Sequence, residues 1–296
     1  MELGRVSTAM VTPFSSTGDI DFDKTAKLIE HLIANGSDSL VVCGTTGESP
    51  TLSVEEKEAL FSFTIKAVNK RIPVIAGTGT FSTKETVKLT RMAERVGADG
   101  IMLVAPYYNK PDQKGMYAHF SYVAGETSLP VMLYNIPGRS AVNMLPETLI
   151  ALSKIANIRA VKEASGSLEQ MADIISGTDD GFSVYSGDDA LALPTLAIGG
   201  KGIVSVASHV AGNEMQRMIA AFKDGRTKEA GAMHRALLPI FRGVFTAPNP
   251  VMVKYALKKL GVETGGVRLP LIGLEDKDES FDEIWENYEK TLHIFN

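Results

Sequence analysis

The tightest constraint on this chain of 296 residues is an alternation. Short runs rich in Val and Ile recur about every 30 residues, the size of one βα unit, and longer helix-period segments lie between them. The runs cover residues 6–11, 39–43, 73–77, 100–105, 130–134, 158–162, 182–186 and 202–206. Strands buried on both faces read as continuous apolar runs, and parallel strands need a crossover long enough to hold a helix. Eight such units predict an α/β fold, a closed (β/α)8 TIM barrel. A doubly wound open sheet is the alternative that the count disfavours. The segments 54–69 and 83–96 read as amphipathic helices. Ser82 is a candidate N-cap for the second, with Glu85 three residues on in capping-box spacing. After the eighth run, 214–223, 227–241, 250–260 and 281–295 keep the helical pattern and no strand pattern returns. The expected division is a catalytic barrel over 1–224 and a helical C-terminal domain over 225–296, with no linker marking the boundary near Gly225.

Charge and composition exclude several classes of function. The net charge of −5, with no Lys/Arg run, argues against a nucleic-acid binder and against docking on anionic membranes. No apolar stretch approaches the ~20 residues of a membrane span. The start of the chain lacks the charged-then-apolar pattern of a secretory signal, and the single cysteine cannot form an internal disulfide, so the expected location is the cytoplasm. Cys43 ends an apolar run and reads as a small buried hydrophobe rather than a nucleophile. The five histidines show no metal-ligand spacing, Gly77-Thr78-Gly79 lacks the third glycine of a dinucleotide fingerprint, and no Gly-x-Ser-x-Gly elbow is present. Gly199-Gly200-Lys201-Gly202 resembles a phosphate cradle but precedes the eighth strand, on the face opposite the chemistry.

In a barrel, residues just after each strand face the active site. Lys162 ends the sixth run, and period-two alternation places it on one face with Ile158 and Ala160, opposite Val161 and Glu163. An inward lysine is partly desolvated, which favours the neutral, nucleophilic amine. An unperturbed lysine is neutral in only about one molecule in 2,500 at pH 7. A rim lysine paired with a carboxylate would read the same way. Tyr134 and Tyr108, also at strand ends, can relay protons or simply fill the barrel mouth. The turn Gly44-Thr45-Thr46-Gly47-Glu48 offers hydroxyls and successive N–H groups to a carboxylate, though it also reads as an ordinary glycine-rich βα turn. Arg139 follows Pro137-Gly138, where a guanidinium suits a second carboxylate or is merely solvated.

The segments Gly44-Thr45-Thr46-Gly47-Glu48-Ser49, Tyr134-Asn135-Ile136-Pro137-Gly138-Arg139 and Val161-Lys162-Glu163-Ala164-Ser165-Gly166 resemble, in order and placement, the signatures of the dihydrodipicolinate synthase family. That family belongs to the pyruvate-dependent lysine aldolases, and the resemblance covers essentially the whole chain. It implies a Schiff-base condensation of pyruvate with aspartate semialdehyde, on the route to diaminopimelate and lysine, with no metal or organic cofactor. By resemblance, Lys162 forms the imine and Tyr134 relays protons, with Thr45 and Tyr108 completing a hydroxyl chain. Thr46 holds the pyruvate carboxylate, Arg139 binds the aldehyde's carboxylate, and Gly187 and Val204 line the site through backbone atoms. Tyr107 matches the position that crosses into a partner subunit, and a homotetramer built from tight dimers is implied. Where lysine-regulated members carry histidines and an asparagine, this chain has Val54, Lys57 and Phe81, with Pro50 nearby, while Ser49, Glu85 and Tyr107 stay compatible. Weak or absent lysine inhibition is expected. The alternatives are a sister lyase acting on N-acetylneuraminate or keto-sugar acids, against which Arg139 argues, and a keto-acid-binding barrel without turnover.

Overall fold

The computed structural model describes residues 3–274 and 278–295. Eight parallel strands close on themselves in sequence order: β1 (Val6–Ala9), β2 (Ser39–Val42), β3 (Val74–Gly77), β4 (Gly100–Val104), β5 (Val131–Asn135), β6 (Ile158–Glu163), β7 (Ser183–Ser186) and β8 (Gly202–Ser205). The last pairs with the first, Val6 opposite Ile203, so the sheet has no free edge. Every strand lies within two residues of its expected run. The helices are α1 (Phe22–Ala34), α2 (Val54–Val68), α3 (Thr83–Arg95), α4 (Gln113–Ala124), α5 (Pro137–Ser140), α6 (Pro146–Leu152), α7 (Leu168–Gly177), α8 (Ala192–Ala197), α9 (Ser208–Lys223), α10 (Thr227–Gly243), α11 (Val251–Lys259) and α12 (Glu279–Thr291). This is a (β/α)8 TIM barrel with further helices after it.

Local chemistry accounts for the helix starts. Ser82 accepts from the Glu85 N–H and caps α3 as expected, whereas the reciprocal capping box forms at α2, between Ser53 and Glu56. Helix α9 begins six residues earlier than its apolar period suggested, directly off β8, and has a non-helical kink at Ala211. Two apolar layers result. Inside the barrel, Ala9, Val41, Ile75, Met102, Met132, Tyr134, Ala160, Tyr185 and Val204 interdigitate. Val42, Val74, Leu133 and Val161 face outward onto the helices.

Ile158 departs from expectation. It belongs to the outer layer with Val161, because the β5–β6 register slips between Val131 and Met132. Val131 pairs with Ile158 and Met132 with Ala160, leaving Arg159 as the extra, exposed residue of a bulge. Alternation therefore holds from Ala160 to Lys162 but not across the bulge. Gly225, at φ +80°, turns the chain from α9 into α10, and α10 packs against both α9 and α12. Leu237, Phe281 and Trp285 join the same outer apolar layer as Leu28 and Val74.

Candidate active site

Lys162 and Tyr134 are directly paired across β6 and β5, so their side chains enter the barrel mouth side by side. Lys162 Nζ lies 4.3 Å from the centroid of the Tyr134 ring. Both side chains are buried. Burial brings the Lys162 ammonium down to about 8, against the Asp189 carboxylate, which holds it up, while Arg139 adds to the fall. Burial also pushes the Tyr134 phenol up to about 12, opposed by its hydrogen bond with Thr45 and by the charge of Arg139. The pair therefore combines an amine that loses its proton readily with a phenol that keeps its own.

Gly187 explains its own identity. A Cβ there would stand 2.6 Å from the Ala164 Cβ and 3.1 Å from Cγ and Cε of Lys162. Only a hydrogen clears Ala164, and it also leaves the lysine chain its place. Val204 sits in the interior layer with Tyr134 and Ala160.

The turn after β2 closes on itself. The N–H of Gly47 bonds Gly44 O, that of Glu48 bonds Thr45 O, and Thr12 Oγ donates to Gly47 O at 2.7 Å. The N–H groups of Thr45 and Thr46 have no acceptor among the described residues, so two adjacent donors remain for an anion. Beside Thr45 opens a cavity of about 210 Å³ whose wall includes Thr45, Tyr134, Tyr107 and Arg139, while Thr46 and Lys162 are not part of that wall. Arg139, on α5, is exposed and forms no ion pair among the described residues. Cys43 is buried as expected, its thiol pushed up to about 12 by burial, and it also lines the cavity.

The adjacent tyrosines differ sharply in exposure. Tyr107 lines this chain's own cavity, half-buried, with its ring edge-on to Phe81 at 5.5 Å. Tyr108 is 92% exposed and lies off the cavity wall. Its backbone is left-handed, φ +73°, which reverses the direction of the side chain relative to its neighbour. Within one chain, therefore, Tyr108 does not extend the Thr45–Tyr134 pair.

Asp189 and Glu163 were not assigned roles from the sequence. Asp189 is buried and accepts from Ser205 Oγ and from the N–H groups of Val206 and Ala207, tying the ends of β7 and β8 together. Burial pushes its carboxyl up to about 6. The Asp188-Asp189 doublet after a strand was the available clue. Glu163, facing away from Lys162, accepts from Asn135 Nδ2, Gln170 Nε2 and the Ser165 N–H, so one buried carboxylate clamps the residues following Tyr134 and Lys162. Lys57, one of the positions expected to discourage a lysine effector, is buried on α2, and burial lowers its pKa.

The model of the Dihydrodipicolinate synthetase family matches residues 2–285. The 4-hydroxy-tetrahydrodipicolinate synthases of Bacillus velezensis and Bacillus subtilis are 58% and 57% identical over 278 and 279 residues. Each alignment covers 94% of this chain and 96% of the relative. The crystal structure of a dihydrodipicolinate synthase from Bacillus anthracis superposes with a TM-score of 0.95 at 52% identity, covering 98% of both chains. Fold, site and these similarities agree: the chain belongs to the dihydrodipicolinate synthetase family.

Proposed function

We propose that this enzyme is a pyruvate-dependent lyase, a 4-hydroxy-tetrahydrodipicolinate synthase, working through an imine on Lys162. The observation that carries the reading is the buried Lys162 amine 4.3 Å from the ring of Tyr134, which itself lines a cavity together with Thr45 of the turn and Arg139. Two carboxylate-bearing substrates need two such anchors. Relatives named for this synthase at 57–58% identity favour it over the sister lyases.

The neutral amine of Lys162 attacks the pyruvate ketone, whose carboxylate rests on Thr46 and the free N–H groups of the turn. Tyr134, kept protonated, gives a proton to the departing hydroxyl, and water leaves to form the protonated imine. The imine accepts electrons as the methyl group loses a proton, giving an enamine. The enamine carbon attacks the aldehyde carbon of aspartate semialdehyde, oriented by Arg139, and the aldehyde oxygen takes up a proton. The substrate's amine then attacks the imine carbon, expels Lys162 and closes the ring. One water is released overall. Gly187 and Val204 shape the wall on which the imine rests.

Assembly belongs to the same reading. Tyr108, exposed and left-handed, can complete the Thr45–Tyr134 hydroxyl chain only from a second copy, so Tyr108 rather than Tyr107 takes the crossing role, in a tetramer of paired dimers. Sedimentation velocity tests the assembly. The function is tested by coupling the condensation to a downstream reductase, with Lys162→Ala beside the wild type. Turnover in the wild type that vanishes in the variant is expected. Turnover persisting in Lys162→Ala refutes the assignment of the nucleophile.

A further inference from the structure

The turn that bears Thr46 is held from the far end of the chain. Asn249 Nδ2 donates to Thr46 Oγ at 2.9 Å, across 203 residues of sequence. Two residues on, Glu48 is buried in a left-handed conformation, φ +56°. Its Oε1 accepts from Lys254 Nζ at 2.9 Å and its Oε2 from the Arg268 N–H at 2.9 Å. Lys254 is itself buried, donates to Gly266 O at 2.6 Å, and lies 4.4 Å above the Phe14 ring. Both walls of the turn are thus gripped by the segment that enters and leaves α11.

We infer that Asn249 and the buried Lys254–Glu48 pair are positioning residues for the pyruvate carboxylate. The inference rests on the reading of Thr46 as the carboxylate anchor. Two effects act together. An amide N–H donated into Thr46 Oγ occupies a lone pair of that oxygen, leaving the hydroxyl proton to point at an anion. Asn249 is itself buried and its Oδ1 has no hydrogen-bond partner among the described residues, so among them the contact with Thr46 is what fixes this amide. Lys254 neutralises a buried carboxylate two residues from the anchor. Without it, the Glu48 charge would oppose the binding of a second carboxylate at short range in a poorly hydrated site. The helices after the barrel therefore complete the substrate site rather than merely packing against it.

The experiment measures the pyruvate concentration that half-saturates the borohydride-trapped adduct on Lys162, by intact mass, alongside kcat and KM for both substrates. Asn249→Ala is expected to raise the pyruvate half-saturation about tenfold, the weight of one hydrogen bond oriented towards a charge, with kcat and the aldehyde KM within about twofold. Lys254→Met should raise it further, and adding Glu48→Gln to Lys254→Met should restore it to within about threefold of wild type, since removing the second charge removes the repulsion. Asn249→Ala tests the inference even if Lys254→Met fails to fold. Wild-type pyruvate saturation in Asn249→Ala, or a fall in kcat alone, overturns the inference. Failure of the wild type itself to form an adduct overturns the imine reading beneath it, a separate result.

Discussion

Asp189→Asn and Arg139→Gln are expected to move the pH dependence of imine formation in opposite directions. Only the neutral Lys162 amine attacks a ketone. With its pKa brought from 10.5 down to about 8, the neutral fraction at pH 7 is about one in ten, against roughly one in 3,000 for an unperturbed group. The single-turnover rate should climb about tenfold per pH unit and level off near pH 8. Asp189 holds the ammonium form in place and is itself charged above about 6, while Arg139 disfavours that form. Removing the carboxylate should shift the break downward, and removing the guanidinium should shift it upward by a smaller amount, since Arg139 is exposed and screened. Asn at 189 keeps one oxygen for the N–H groups of Val206 and Ala207, so the β7–β8 tie survives. Rapid-quench borohydride trapping at saturating pyruvate, between about pH 6 and 10, reads the break directly. A break near 10.4 in the wild type, or shifts of the same sign in both variants, refutes the reasoning.

Gly187→Ala should cut kcat/KM by at least about tenfold, because the new methyl stands 2.6 Å from the Ala164 Cβ and 3.1 Å from Cγ and Cε of Lys162, so the strand end bearing the lysine must shift; trapping yield and circular dichroism separate a displaced lysine from a disturbed fold. Lys162→Met should abolish turnover yet raise thermal stability at pH 7, by on the order of 3 kcal/mol at most. The sign follows from the depressed pKa. Below about 8 both folded and unfolded chains are protonated and the folded state carries the whole penalty. From there to 10.5 the unfolded chain binds more protons, so wild-type stability rises with pH and the variant's advantage shrinks, as melts at pH 7 and 10 would show. Millimolar lysine should leave the rate within about twofold of its uninhibited value, since Val54 and Phe81 offer an ammonium group no acceptor. Strong inhibition at micromolar lysine would refute this.

The element order was legible because apolar runs and helical periods are local properties that survive without knowledge of the partner strand. The same locality set the limits. Alternation put Lys162 on the inner face correctly, two residues from Ala160, yet misassigned Ile158, because a bulge is a property of the β5–β6 pairing and leaves no mark in β6 alone. Tyr107 and Tyr108 carry identical side chains, so the left-handed backbone at Tyr108, not residue type, decides which faces the cavity.

Sequence by itself determined the barrel, the lysine at a strand end, and the Thr45–Thr46 turn, since each is written in a stretch of a few to about 30 consecutive residues. Tertiary structure alone decided the lowered pKa of Lys162, the placement of Asp189 near it, and the grip of Asn249 and Lys254 on the turn. Desolvation and Coulomb terms depend on distances in space. Two residues 203 apart in the chain become neighbours only when the barrel closes and the segment around α11 folds back against the turn after β2.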